Sequence, residues 1–168
     1  MVVFLIDAML KNIVRWLRIF GRKTIYALDL KDLKGKPLDD EELLKIALKN
    51  KMVFVTRDEA LGQKARDYVP TILLRTTDTD KQLMQILTRF PAKITLAPSK
   101  TTCASCGGKI KRVLKASVKD KVFPKVFKHN KTFWQCKKCK KTYWKGSHWK
   151  KILQKARKIS QKLKTNRF

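Results

Sequence analysis

Two short cysteine spacings, Cys103-x-x-Cys106 and Cys136-x-x-Cys139, restrict the fold of this chain more than any other feature. Thiolates three positions apart on a tight turn grip one metal ion from one side, and a second such pair completes a tetrahedral sphere. Cys106-Gly107-Gly108 provides the flexible backbone that such a knuckle needs. Four sulfur ligands leave no open coordination position, so the expected ion is a structural Zn²⁺ that folds a segment too polar to fold alone. The opening MVVFLIDAML lacks the basic flank and cleavage site of a signal peptide, and no run approaches the ~20 apolar residues of a spanning helix. The reading is a cytoplasmic protein without disulfides.

Charge divides the chain in the same place as the cysteines do. The 168 residues carry a net +28. Residues 1–97 hold 18 Lys and Arg against 12 Asp and Glu, a net +6, whereas residues 98–168 hold 23 against one, Asp120, a net +22. A charge density of that kind repels itself and calls for a polyanion, which makes RNA the expected partner and a membrane surface the rival.

The first half alternates apolar runs with amphipathic stretches, as expected of strand and helix units building an α/β domain with a parallel sheet. Val2 to Ile6, Thr24 to Ala27, Met52 to Val55 and Thr71 to Leu74 are the expected strands. Helices are expected over Met9 to Phe20 with Gly21 as a left-handed cap, from Asp39 or Asp40 onward, from Asp58 through Ala65, and over Asp78 to Leu87. The domain ends near residue 90, and residues 91–102, with two prolines, form a linker.

Beyond it, residues 103–146 are the expected zinc ribbon, with strands over Ile110 to Val118, Lys131 to Gln135 and Thr142 to Trp144. Residues 147–168 form a basic helix and tail, whose apolar stripe of Trp149, Ile152, Leu153, Ala156, Ile159 and Leu163 the ribbon could cover. Aromatic residues interleave with lysines: Phe133, Trp134, Tyr143, Trp144 and Trp149 among Lys137, Lys138, Lys140, Lys141, Lys145, Lys150 and Lys151. Rings can stack on exposed bases while ammonium groups meet phosphates, although most of these rings are also needed for the ribbon's own small core. His148 is more readily an RNA-contacting or packing histidine than a fifth ligand.

Three acids sit where parallel sheets place their sites. Asp7 ends the first strand, Asp40 opens a helix and Asp58 ends the third strand, so all three can converge at the carboxyl edge, with Asp78 as a fourth candidate. Converging carboxylates repel unless a cation joins them; Mg²⁺ or Mn²⁺ there could activate water against a phosphodiester. Helix capping accounts for the same residues equally well.

The segments FLIDAMLKNIVRWLRIFG, DDEELLKIA, VFVTRDEAL, CASCGGKI and FWQCKKCKKTYWKGSHW, in that order, resemble the Mut-seven C-terminal RNase family, whose members join a PIN-like nuclease domain to a zinc ribbon. The resemblance implies a metal-dependent ribonuclease site with Asp7, Asp40 and Asp58 as its acids, and Arg15, Arg18 and Arg57 as phosphate ligands or as partners of those acids. Lys11 and Lys23 depart from the family, which has a glycine and an acidic residue there; both changes strengthen phosphate attraction.

Two functions follow. An RNA-binding protein attached to the ribosome or rRNA, as a component of the small subunit, accounts best for the +22 half, because each neutralised phosphate adds affinity that hinders product release. A divalent-metal endoribonuclease accounts best for the retained acids. A toxin-like nuclease fits less well, since such toxins usually lack a ribbon.

Overall fold

The architecture follows from how the apolar residues alternate. In the computed structural model, which describes residues 2–91, 93–94, 96–97 and 101–165, strands β1 (Val3–Ile6), β2 (Lys23–Tyr26), β3 (Val53–Thr56) and β4 (Thr71–Leu73) form a parallel sheet in the order β2-β1-β3-β4. Ile6 lies opposite Tyr26 on one side and Val55 on the other, so the carboxyl ends of the two central strands are level. Both faces are covered, which is why the strands read as unbroken apolar runs.

Phe4, Ile6, Val53 and Val55 point to one face, against α1 (Lys11–Ile19) and α4 (Thr79–Arg89); Leu5 and Phe54 point to the other, against α2 (Asp40–Lys49) and α3 (Glu59–Arg66). Gly21 caps α1 as expected: its φ is 80°, the Arg22 amide donates to the Leu17 carbonyl at 2.8 Å and the Gly21 amide to Arg18 at 3.2 Å. Observed element ends differ from the sequence expectations by one or two residues. The first helix differs in kind, because a 3₁₀ turn over Ala8–Leu10 precedes α1.

The second sheet is antiparallel, in the order β5 (Ile110–Val113), β6 (Phe133–Cys136), β7 (Thr142–Trp144). The strand expected through Val118 stops at Val113. The backbone amide and Oγ of Ser117 both donate to the Leu114 carbonyl, at 3.1 and 2.8 Å, and this local turn diverts the chain into a 3₁₀ stretch, Lys115–Lys121. Pro124 then starts a short α5 (Pro124–His129) that the sequence reading missed.

The largest correction concerns the C-terminal helix, α6 (Ser147–Thr165). The later part of its apolar stripe, Ala156, Ile159 and Leu163, is covered by the first domain rather than by the ribbon, while Trp149 and Ile152 at its start line a groove beside the ribbon. Ala156 and Ile159 are buried in the same cluster as Ile13, Leu17, Leu83 and Ile86, and Leu163 packs against that cluster. Lys155 and Lys158 grip Asp80 of α4 at 2.5 and 3.2 Å, and the Lys155 ammonium lies 4.5 Å from the Trp16 ring centre. The linker is likewise held, with Ile94 and Leu96 against this core; its residues 92, 95 and 98–100, and the last three residues of the tail, lie outside the described residues. Among the described residues no helix is long and apolar enough to cross a membrane.

Candidate functional site

The four cysteine Sγ atoms lie within 4.8 Å of one another. Cys103 and Cys139 are 3.6 Å apart, Cys106 and Cys136 3.5 Å, close to the ~3.8 Å edge of a tetrahedron built on zinc–sulfur bonds of about 2.3 Å. Both knuckles reach this spacing by the same device. Gly107 (φ 71°) and Lys140 (φ 60°), each directly after the second cysteine of its pair, turn left-handed, and their amides return to the carbonyls of Cys103 and Cys136 at 2.8 and 3.1 Å. The donors are all soft sulfurs in a closed shell, so the cluster fits a structural metal.

The Tyr143 hydroxyl lies 2.9 Å from Cys103 Sγ. Burial pushes the Cys103 thiol up, but hydrogen bonds from Tyr143 and from the amides of Cys106 and Ser105 outweigh it and hold Cys103 down at about 7. Burial and the adjacent Cys103 raise Tyr143 above the usual phenol range, so the hydroxyl proton stays on oxygen and faces sulfur. Burial pushes Cys106 up to about 12, so the cluster as a whole needs a cation to deprotonate at neutral pH. The sequence reading had Tyr143 only as a ribbon aromatic.

The acids belong to the first domain. Asp7 is buried, and its Oδ2 accepts from Thr56 Oγ1 at 2.5 Å; the same oxygen of Thr56 accepts from the Asp58 amide at 3.0 Å. Thr56 therefore ties the first acid to the third. It was missed in the sequence, where its signal was a hydroxyl at the end of an otherwise apolar buried strand. Asp58 also caps α3, accepting from the Leu61 amide at 2.8 Å, and Asp40 occupies the first turn of α2 behind the Asp39–Glu42 capping box.

Asp40 is held above the ordinary carboxylate range, by burial first and then by the charges of Asp7, Asp58 and Asp39, against the opposing field of Lys64. Asp7 and Asp58 thus bear on Asp40 as like charges, after burial. Asp78 caps α4 through the Lys81 amide at 2.8 Å and is not among the charges acting on Asp40. Among the described residues the thiols are the only group of three or more His, Cys, Asp or Glu side chains gathered closely enough to hold one metal ion; the aspartates do not form such a group.

The basic residues divide into three groups. Arg18 is 2% exposed and committed inward: it pairs with Asp29 at 2.9 Å and donates to the carbonyls of Thr24 at 3.4 Å and of Ser105 in the first knuckle at 2.8 Å. It ties α1 to the ribbon. Arg15, Lys141, Trp144, Lys145 and His148 line a groove between α1, the ribbon and the start of α6, with Arg18 at its floor. Lys137, Lys138, Lys140, Lys150, Lys151 and Arg57 are exposed and stand outside it. Lys137 is held below the usual lysine range by Lys111 first and by Lys109 and Lys140 after it, so cations crowd the ribbon's outer surface.

The family model described as Mut7-C RNAse domain matches residues 2–156, both sheets included. No curated protein and no solved structure matches the chain.

Proposed function

Given that this chain belongs to the Mut7-C RNase domain family, we propose that it binds RNA through its basic second half and hydrolyses it at the carboxyl edge of the parallel sheet, as a divalent-metal-dependent endoribonuclease with a zinc-folded ribbon. The observation that carries this reading is the Thr56 hydroxyl at the end of β3, which donates to the buried Asp7 carboxylate at 2.5 Å and accepts from the Asp58 amide at 3.0 Å, linking the first acid to the third. Oxygen-only donors in mutual repulsion suit a hard cation such as Mg²⁺ or Mn²⁺. When bound, such an ion supplies a Lewis acid for the scissile phosphate and lowers the proton affinity of water. This chain's own residues do the rest. Thr56 fixes the Asp7 carboxylate, the Leu61 amide fixes Asp58, and the exposed Arg57 and Arg15 guanidinium groups suit phosphate oxygens on either side. Asp78, engaged in its cap, is the least supported of the four acids.

The experiment is cleavage of mixed RNA by zinc-loaded protein with added Mn²⁺, compared with an Asp7→Asn, Asp58→Asn variant. The variant is expected to lose at least about 100-fold in rate, the scale of transition-state electrostatic terms; equal cleavage would end the enzyme reading.

The +22 half favours a second reading, lasting attachment to a large RNA such as that of the small ribosomal subunit. It predicts co-sedimentation with ribosomal particles at low salt and release at high salt; free migration at both would remove it.

A further inference from the structure

The groove between the two sheets has a volume of about 1060 Å³. One wall is α1, with Lys11 and Arg15; the other runs from the ribbon into the first turns of α6, with Trp134, Trp144 and Trp149. All three indoles are partly exposed, and the Lys145 ammonium stands 5.8 Å from the Trp134 ring centre and 5.9 Å from that of Trp149. Lys141 adds a further cation. The one acid in the lining, Asp29, is already paired with Arg18. An apolar, ring-bearing wall flanked by cations with no free acid in the lining matches one kind of polymer, one with phosphates outside and flat unpaired bases inside.

We propose that this groove is the docking site for unpaired RNA, a short single-stranded segment whose bases lie against Trp144 and Trp149 while its phosphates meet Lys11, Arg15, Lys141 and Lys145. The inference rests on the reading of this chain as an RNA-acting protein, and adds which form of RNA it takes and where. A duplex hides its base faces in its own stack and can offer the rings nothing. The groove also leads toward the acids. Tyr26 lines it and donates to the carbonyl of Ala8, next to Asp7, at 2.6 Å. Its phenol is raised by burial and then by the charges of Asp29 and Asp7, so the field of the first acid reaches the groove wall. Gly146 sets the Trp144 ring: a Cβ there would stand 2.8 Å from Trp144 Nε1, too close for the ring to stay.

The test uses the full zinc-loaded chain without added Mg²⁺ or Mn²⁺, so that binding is read apart from cleavage. Fluorescence anisotropy compares three labelled probes at one salt concentration: a single-stranded RNA of about 12 nucleotides, within the ~4–16 nucleotide span of single-strand modules, its blunt duplex, and an equally long strand with abasic sugars. The single strand is expected to bind at least about 10-fold tighter than either of the others, since stacking contributes on that order per base. Trp144→Ala, and independently Gly146→Ala, which keeps the indole but displaces it, are expected to erase most of that preference and leave duplex binding unchanged. Lys150→Gln, outside the groove, should weaken all three probes alike. Equal affinity for the three probes, with Mn²⁺-dependent cleavage intact, would overturn the groove assignment and leave the proposed function standing; so would preference retained in both groove variants. Competition by polyglutamate as strong as by the single strand would overturn it in favour of an acidic protein partner. A wild-type chain that ignored every RNA would overturn both.

Discussion

The parallel-sheet domain and the ribbon hold themselves together by different means, although one segment of chain follows directly on the other. Of the largest fully buried side chains, Phe4, Phe54, Leu5, Ile6, Leu17 and Ile86 belong to the first domain, while the ribbon contributes only Phe133. The first has an area of apolar surface that can drive folding by itself. The second has Ile110, Val118, two sheltered cysteines and a surface of lysines, too little to offset its conformational entropy, and relies on the four-thiol cluster. A hydrophobic core is built against water, whereas a four-thiol core tolerates the ribbon's 14 Lys and Arg against one acid, a net +13 over residues 103–146, and leaves the surface available to phosphates.

Removing the metal breaks the comparison most severely. Chelation of the purified protein is expected to cost the ribbon on the order of 10 kcal/mol. Hydrogen exchange should show lost protection in β5 to β7 with protection retained in β1 and β3; uniform loss would show that the two regions share one core.

Arg18→Ala comes next, because Arg18 reaches from the first domain to the Ser105 carbonyl of the ribbon. Truncation leaves the Thr24 and Ser105 carbonyls without this donor and Asp29, itself 42% exposed, without this partner, and should destabilise by about 1–3 kcal/mol in urea melts, the usual cost of unmatched buried polar groups. Ribbon and sheet domain should also unfold further apart in denaturant than they do in wild type.

Asp40 sharpens the comparison in a smaller, pH-dependent way. Its folded proton affinity is raised, so the protonated acid favours the folded state. That stability is fully present below the unfolded carboxylate value of about 3.9 and is lost as pH rises through the higher folded value. Thermal melts of zinc-loaded wild type without Mg²⁺ or Mn²⁺ should therefore decline on the alkaline side of that window, and those of Asp40→Asn should not. Added Mn²⁺ should reverse the decline in wild type, increasingly with pH, and do nothing for the variant.

The smallest effect is expected at Lys51, which follows α2 at φ 51° while the Met52 amide donates to the Ala47 carbonyl at 2.8 Å. Gly21 serves the same purpose after α1 without a Cβ. Lys51→Gly should raise stability by about 0.5–1 kcal/mol in a urea melt.

These regions were also unequally legible. The sheet domain's strands could be read because both faces are buried and period and apolarity agree; the cysteine cluster could be read because spacing alone places two thiols on one turn. Val118 and Phe127, by contrast, belong to an insertion between β5 and β6 whose turn is set by Ser117, a residue with no apolar rhythm to betray it. Thr56 lies one residue beyond the strand expected over Met52 to Val55, and nothing in its local sequence marks it as the partner of Asp7.

The chain by itself determined which residues are buried in strands, where the helices cap, that four thiols gather, and that its second half attracts anions, since each of these rests on composition or on spacing within one element. Tertiary structure alone decided that Arg18 faces inward to Asp29 and Ser105, that α6 returns to the first domain, and that Arg15 meets Trp144 and Lys145 across a groove. Those outcomes depend on which of several apolar faces a helix covers, and many partners compete for the same stripe until packing selects one.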